Sequence, residues 1–134
     1  MDLKLQSKVA IVLASSMGLG KAVALELARE GANVVIASRN KTLLEKTAEE
    51  IRKETKVEVL AVVTDVSKQN DLKKLIKATI KKFGRIDILV NNSGGPPPGG
   101  FENVTDKMWQ QSLAQNFFSV VWTTRLALPW LPRL

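Results

Sequence analysis

The apolar residues of this chain change period four times over. KVAIVL (8–13), NVVIA (33–37), VEVLAVV (57–63) and IDILV (86–90) are short apolar runs, the pattern of strands buried on both faces. Each is followed by a stretch with helical spacing. Residues 18–30 predict a helix stopped by Gly31, and 41–54 one capped by Asn40 with Leu44, Ala48 and Ile51 facing in. A lysine-rich helix is expected after Ser67 as its cap. A last helix begins at Thr105 and ends at Pro129 and Pro132. Its broad apolar face is expected to hold Trp109, Leu113, Phe117, Val120, Val121 and Thr124. Parallel strands need a crossover of a dozen or more residues, and a helix supplies one. Right-handed crossovers then place helices on both faces of the sheet. The expected fold class is therefore α/β, a doubly wound parallel sheet of four strands. Glu58 interrupts the third run, which suits a sheet edge.

In such sheets ligands bind beyond the carboxyl ends of the strands. The unusual residues fall there: ASSMGLG at 14–20, SRN at 38–40, TDV at 64–66 and NNSGG at 91–95. A strand, a glycine turn and a helix in succession suggest a phosphate cradle, since a helix N-terminus offers free N–H groups and a positive dipole end. A plain tight turn is the alternative.

Composition narrows the chemistry. The chain of 134 residues suits one domain, 1–134, and it has neither cysteine nor histidine, which removes thiolate and imidazole metal sites. No apolar run approaches the ~20 residues that span a bilayer. The first such run leads into the glycine turn, unlike a leader peptide, so a cytoplasmic location is expected. The net charge of +7 is concentrated in residues 67–85, which carry a net of +6. Leu72, Leu75, Ile76, Thr79, Ile80 and Phe83 share one helical face there, and Lys73, Lys74, Lys77, Lys81 and Lys82 take the other. A solvated outer face accounts for this pattern. No aromatic residue alternates with the lysines to stack on bases, which argues against a nucleic-acid partner.

Four motifs in order, ASSMGLG, Asp65-Val66, NNSG at 91–94 and Asn116 within QNFFSVVWTTRLALP, make the chain resemble the short-chain dehydrogenase/reductases. The resemblance covers essentially the whole chain and implies a Rossmann-type sheet with strand order 3-2-1-4. The family's loop reads Gly-x-x-x-Gly-x-Gly. Gly18 and Gly20 match the last two glycines, and Ala14 stands at the first. Alanine is tolerable there at negative φ and costly at positive φ. The resemblance implies cofactor contacts at Ser15, Ser16, Gly18, Leu19 and Gly20, with Gly18 near the pyrophosphate and Gly20 allowing close packing of the helix. Asp65 would accept from the adenine amino group beside the Val66 N–H, although an aspartate at a helix start near Ser67 also explains it. Asn91 would brace strand four against strand one, where Leu13 replaces the family's threonine. Asn92, Ser93 and Gly94 would flank the ribose, and Asn116 would kink the last helix and hold a water of the proton relay.

The cofactor implied is a nicotinamide dinucleotide, with NADP(H) preferred over NAD(H). An NAD-type site has an acid at the end of strand two, and here Ser38-Arg39-Asn40 offers none. Arg39 can fork onto a 2′-phosphate, with Ser15, Ser16 or Ser38 donating and Lys41 adding charge; a solvent-facing Arg39 is the alternative. The family's acid is a tyrosine with a lysine four residues on, and an orienting serine precedes them. This chain has no tyrosine. It resembles the cofactor half of a C-terminally truncated carbonyl/alcohol oxidoreductase, with Asn116 the one catalytic-type residue. A non-catalytic nucleotide-binding or interaction module, or half of a two-chain enzyme, is the alternative. Self-association is expected through the edge of strand four and through the last helix.

Overall fold

The computed structural model describes residues 1–133. Its sheet has four parallel strands, β1 Val9–Leu13, β2 Asn33–Ser38, β3 Val59–Val63 and β4 Ile88–Val90, in the order β3-β2-β1-β4. The crossovers are α1 Gly18–Arg29, α2 Lys41–Glu54 and α3 Gln69–Phe83. After β4 come a 3-10 turn, Phe101–Asn103, then α4 Asp106–Leu113, a π-helical turn Ala114–Phe118, and α5 Ser119–Ala127. The expected strand order and parallel pairing are found.

Successive strand residues point to opposite faces, and β1 sorts its side chains accordingly. Val9, Ile11 and Leu13 join a core with Leu72, Leu75 and Ile76 of α3 and Ala127 of α5. Ala10 and Val12 join a second core with Ala24 and Ala28 of α1 and Leu44, Ala48 and Ile51 of α2. Both faces are covered, so β1 has no exposed residue and reads as a continuous apolar run. At the rim β3 is an edge strand, as Glu58 suggested.

The caps agree in part. Asn40 accepts from the Leu43 N–H at 3.0 Å, Thr105 accepts from the Met108 N–H at 3.2 Å, and Gly31 takes a φ of +94° just past α1. Ser67 is not the cap of α3. That position is Lys68, with no side-chain hydrogen bond, because the Ser67 hydroxyl donates to Asp65 Oδ1 at 2.6 Å instead. The third and fourth strands start two residues later than expected. At Glu58 the N–H donates to the Asn33 side chain, and at Asp87 the carboxylate accepts the Val9 N–H at 2.9 Å, so side chains end both ladders.

The last helix differs more. Its buried side is Ser119, Thr123 and Ala127, one small residue per turn, which lets α5 pack closely against α3. Trp109, Leu113, Phe117 and Val120, four of the six residues expected to face inward, are exposed. Hydrophobic spacing locates a stripe but not its partner. The π turn also inserts a residue, which rotates α5 relative to α4. Among the described residues no helix is long and apolar enough to cross a membrane.

Candidate functional site

A cleft of about 1470 Å³ opens at the carboxyl edge of the sheet. Four strand-end segments line it, the loop after β1 with the start of α1, residues 38–40 at the end of β2, residues 64–68 after β3 and residues 92–95 after β4, and Met108, Gln111 and Gln115 of α4 and the π turn line its remaining side. The sequence motifs therefore converge on one site, as parallel strands require.

The loop after β1 is held from three sides. Ser15 is 0% exposed, its hydroxyl donates to the Val12 carbonyl at 2.6 Å and accepts the Ala37 N–H at 3.0 Å, and its own N–H donates to Ala37 O. The expectation that the Ser15 hydroxyl reaches a ligand is thus corrected: it ties β1 to β2 and does not line the cleft. Thr47 of α2 donates to the Ser16 carbonyl at 2.8 Å. Asn92 Nδ2 donates to the Leu13 and Ala14 carbonyls, each at 3.3 Å. The brace between β4 and β1 is therefore Asn92 and not Asn91, whose amide donates to Thr124 Oγ1 at 3.1 Å.

Ala14 adopts φ +49°, the left-handed region, so the costly case for alanine applies. Gly18 is also left-handed, at φ +58°, with open space where a Cβ would stand. At Gly20 a Cβ would collide with the Ala14 carbonyl oxygen and lie 2.9 Å from Asn92 Nδ2. Gly20 is needed for the loop to close on itself, more than for the sheet. No side chain caps α1, so its first-turn N–H groups are left for the cleft, where Gly18, Leu19 and Gly20 stand.

Ser38 and Arg39 line the next side. Ser38 Oγ is buried and is without a hydrogen-bond partner among the described residues, a state that is rare for a buried hydroxyl. Arg39 is exposed and forms no ion pair among the described residues, whereas Arg29, Arg52 and Arg85 all do. Asp65 Oδ1 accepts from the Ser67 hydroxyl and N–H, while Oδ2 has no partner among the described residues. Partial burial pushes the Asp65 carboxyl up. The two Ser67 hydrogen bonds and the charges of Arg39 and Lys68 outweigh it, and the net shift is down, so Asp65 is a carboxylate. Val66 lines the cleft beside it.

Asn116 lies outside the cleft lining, in the π turn. Its Oδ1 accepts from the Ser93 hydroxyl at 2.7 Å, and its Nδ2 donates to the Ser112 carbonyl at 3.0 Å. The Ser93 hydroxyl thus joins Asn116 to the cleft, and Gln115 Nε2 donates to the Gly94 carbonyl at 2.8 Å. Thr47, Leu43 and Gln115 were not singled out from sequence. Thr47 carried a signal, a hydroxyl on the inward face of α2 among Leu44, Ala48 and Ile51. Gln115 carried none, because only folding brings the π turn over the loop after β4.

Uncapped helix N–H groups, an unpaired guanidinium and an orphan hydroxyl around one cleft fit a ligand with phosphates. Fold and cleft together define a doubly wound α/β protein of the Rossmann type. Residues 8–133 match the short chain dehydrogenase family, and the chain belongs to it. It is 40% identical over 128 residues to the 11-beta-hydroxysteroid dehydrogenase 1A of Arabidopsis thaliana, covering 95% of this chain and 37% of that protein. It is 35% identical to the dehydrogenase/reductase SDR family member 4 of Caenorhabditis elegans, covering 97% of this chain and 50% of that one. Among solved structures, the L-sorbose reductase of Gluconobacter frateurii complexed with NADPH and L-sorbose superposes with a TM-score of 0.93 at 31% identity, over 96% of this chain and 49% of the other. The chain spans half the length of these relatives or less.

Proposed function

We propose that these residues form the cofactor-binding part of an NADP(H)-dependent oxidoreductase acting on a carbonyl or alcohol, in a cytoplasmic setting. The observation that carries it is the juxtaposition of the uncapped α1 N-terminus with an unpaired Arg39 and an unpartnered Ser38 hydroxyl in one cleft. The N–H groups of Gly18, Leu19 and Gly20 would hold the pyrophosphate, with Ser16 at its side. Ser38 and Arg39 would hold a 2′-phosphate: no carboxylate follows β2 to accept from a free ribose hydroxyl, and an arginine fork suits a phosphate. The free Oδ2 of Asp65 would accept from the adenine amino group, with the Val66 N–H beside it. Asn92, Ser93 and Gly94 would flank the second ribose. The NADPH complex of the L-sorbose reductase supports the cofactor class.

When bound, the nicotinamide supplies or accepts a hydride. Asn116 would order a water on the proton path, with its Oδ1 fixed by Ser93. It cannot itself be the general acid, since an amide does not titrate near neutral pH. The family resemblance assigns that role to a tyrosine, and none occurs here. Calorimetric titration with NADPH and NADH tests the cofactor assignment. The wild-type chain is expected to prefer NADPH, and Arg39→Ala to lose most of that preference. An unchanged ratio in the variant would rule out the 2′-phosphate role.

A further inference from the structure

We infer that Thr47, a residue of α2 that is fully buried and does not line the cleft, is a positioning residue for the anion cradle. Its role rests on the phosphate reading above. Threonines at helical positions usually return their hydroxyl to a carbonyl one turn back. Thr79 and Thr123 do so here, onto Leu75 and Ser119, each four residues earlier, and Thr55, just past α2, does the same onto Ile51. Thr47 instead donates across 31 positions of sequence to the Ser16 carbonyl, at 2.8 Å.

That carbonyl belongs to the same peptide unit as the Met17 N–H. In a trans peptide the two groups point in opposite directions. Holding the oxygen on buried Thr47 keeps a lone pair out of the cleft that Ser16 and Met17 line, and turns the Met17 N–H to the other side. The Leu13 and Ala14 carbonyls are engaged by Asn92, and Ser15 is pinned to β2. The Met17 carbonyl already accepts the Lys21 N–H at 3.3 Å, so Ser16 is the last carbonyl outside the helical ladder, and Thr47 is its one side-chain donor among the described residues. A phosphate approaching the loop then meets N–H groups rather than oxygen. The left-handed Ala14 makes this hold more necessary, because the loop lacks a glycine where it turns.

Three probes separate positioning from general stability: NADPH, ADP and adenosine 2′-monophosphate, titrated calorimetrically into the full chain. Thr47→Val keeps the buried volume and removes the donor. Its affinity for NADPH and ADP is expected to fall on the order of five- to tenfold, the scale of one hydrogen bond. Its affinity for adenosine 2′-monophosphate, which lacks a pyrophosphate, is expected to stay unchanged, and Thr47→Ser to restore the wild-type pattern. Should Thr47→Val not fold, Thr47→Ala is compared with Thr47→Ser in the same way. Equal losses for all three probes, or none, would overturn the role of Thr47. A wild-type chain that binds none of the three would overturn the phosphate reading itself.

Discussion

At the residue scale, the loop after β1 carries strain at a known point. Left-handed geometry costs an alanine roughly 1–2 kcal/mol. Glycine there avoids that penalty and loses roughly 0.5–1 kcal/mol more backbone entropy. Ala14→Gly is therefore expected to stabilise the chain by up to about 1 kcal/mol, read as a higher urea midpoint at constant slope. Gly20→Ala should do the reverse and weaken NADPH binding as well, since its Cβ has no space beside the Ala14 carbonyl. A Gly20→Ala variant with unaltered stability would show that the loop closes differently. Gly18→Ala meets no such obstacle, and its loss should reflect only the left-handed φ of +58°.

At the element scale, β4 is the weak member of the sheet. It has three residues, pairs among the described residues only with β1, and is half-buried along its length. Its N-terminal end is clasped by Asp87, which accepts the Val9 N–H and both Nε and Nη2 of Arg85. Burial of its side chain, 8% exposed, pushes the Asp87 carboxyl up. The Arg85 and Val9 hydrogen bonds outweigh that, and the net shift is down. With the folded value below the unfolded one of about 3.9, the clasp stabilises fully above that pH and fades as pH falls through the folded value. Asp87→Asn should lower stability at pH 7 and flatten the acid loss below pH 4 in urea titrations at stepped pH. The far edge of β4 carries no charged residue after Asp87, and unpaired apolar edges recruit partners. On α4 and the π turn, Phe117 is 57% exposed and Trp109, Leu113 and Phe118 are exposed as well. Self-association of the chain is expected in light scattering at tens of micromolar, and a strictly monomeric species there would count against it.

At the scale of the whole chain, cofactor binding and turnover are two separate measurements. The chain has a cleft suited to a dinucleotide and no tyrosine to serve as the family's acid. General acid catalysis is worth about 10²–10⁴-fold, and positioning of the carbonyl can be worth ~7–11 kcal/mol more. The purified 134-residue chain is therefore expected to oxidise no NADPH with a panel of ketones and aldehydes. Turnover that co-purifies with it and vanishes in Asn116→Ala would contradict this. The sheet, its parallel order and the four loops at one edge were legible in the sequence. Apolar runs alternating with helical spacing leave few topologies, and motif order narrowed them to one. The caps at Asn40 and Thr105 were legible for a similar reason, since a cap bonds within its own turn. What lay beyond the sequence were contacts between residues distant along it. Ser15 looked like a ligand donor until its hydroxyl was found between β1 and β2, Asn92 displaced Asn91 as the brace, and α5 turned its small residues inward. Local periodicity and short-range hydrogen bonding determine the elements. The hand that each side chain plays between them is decided only when elements far apart in sequence meet, because only then do buried donors and acceptors find their partners.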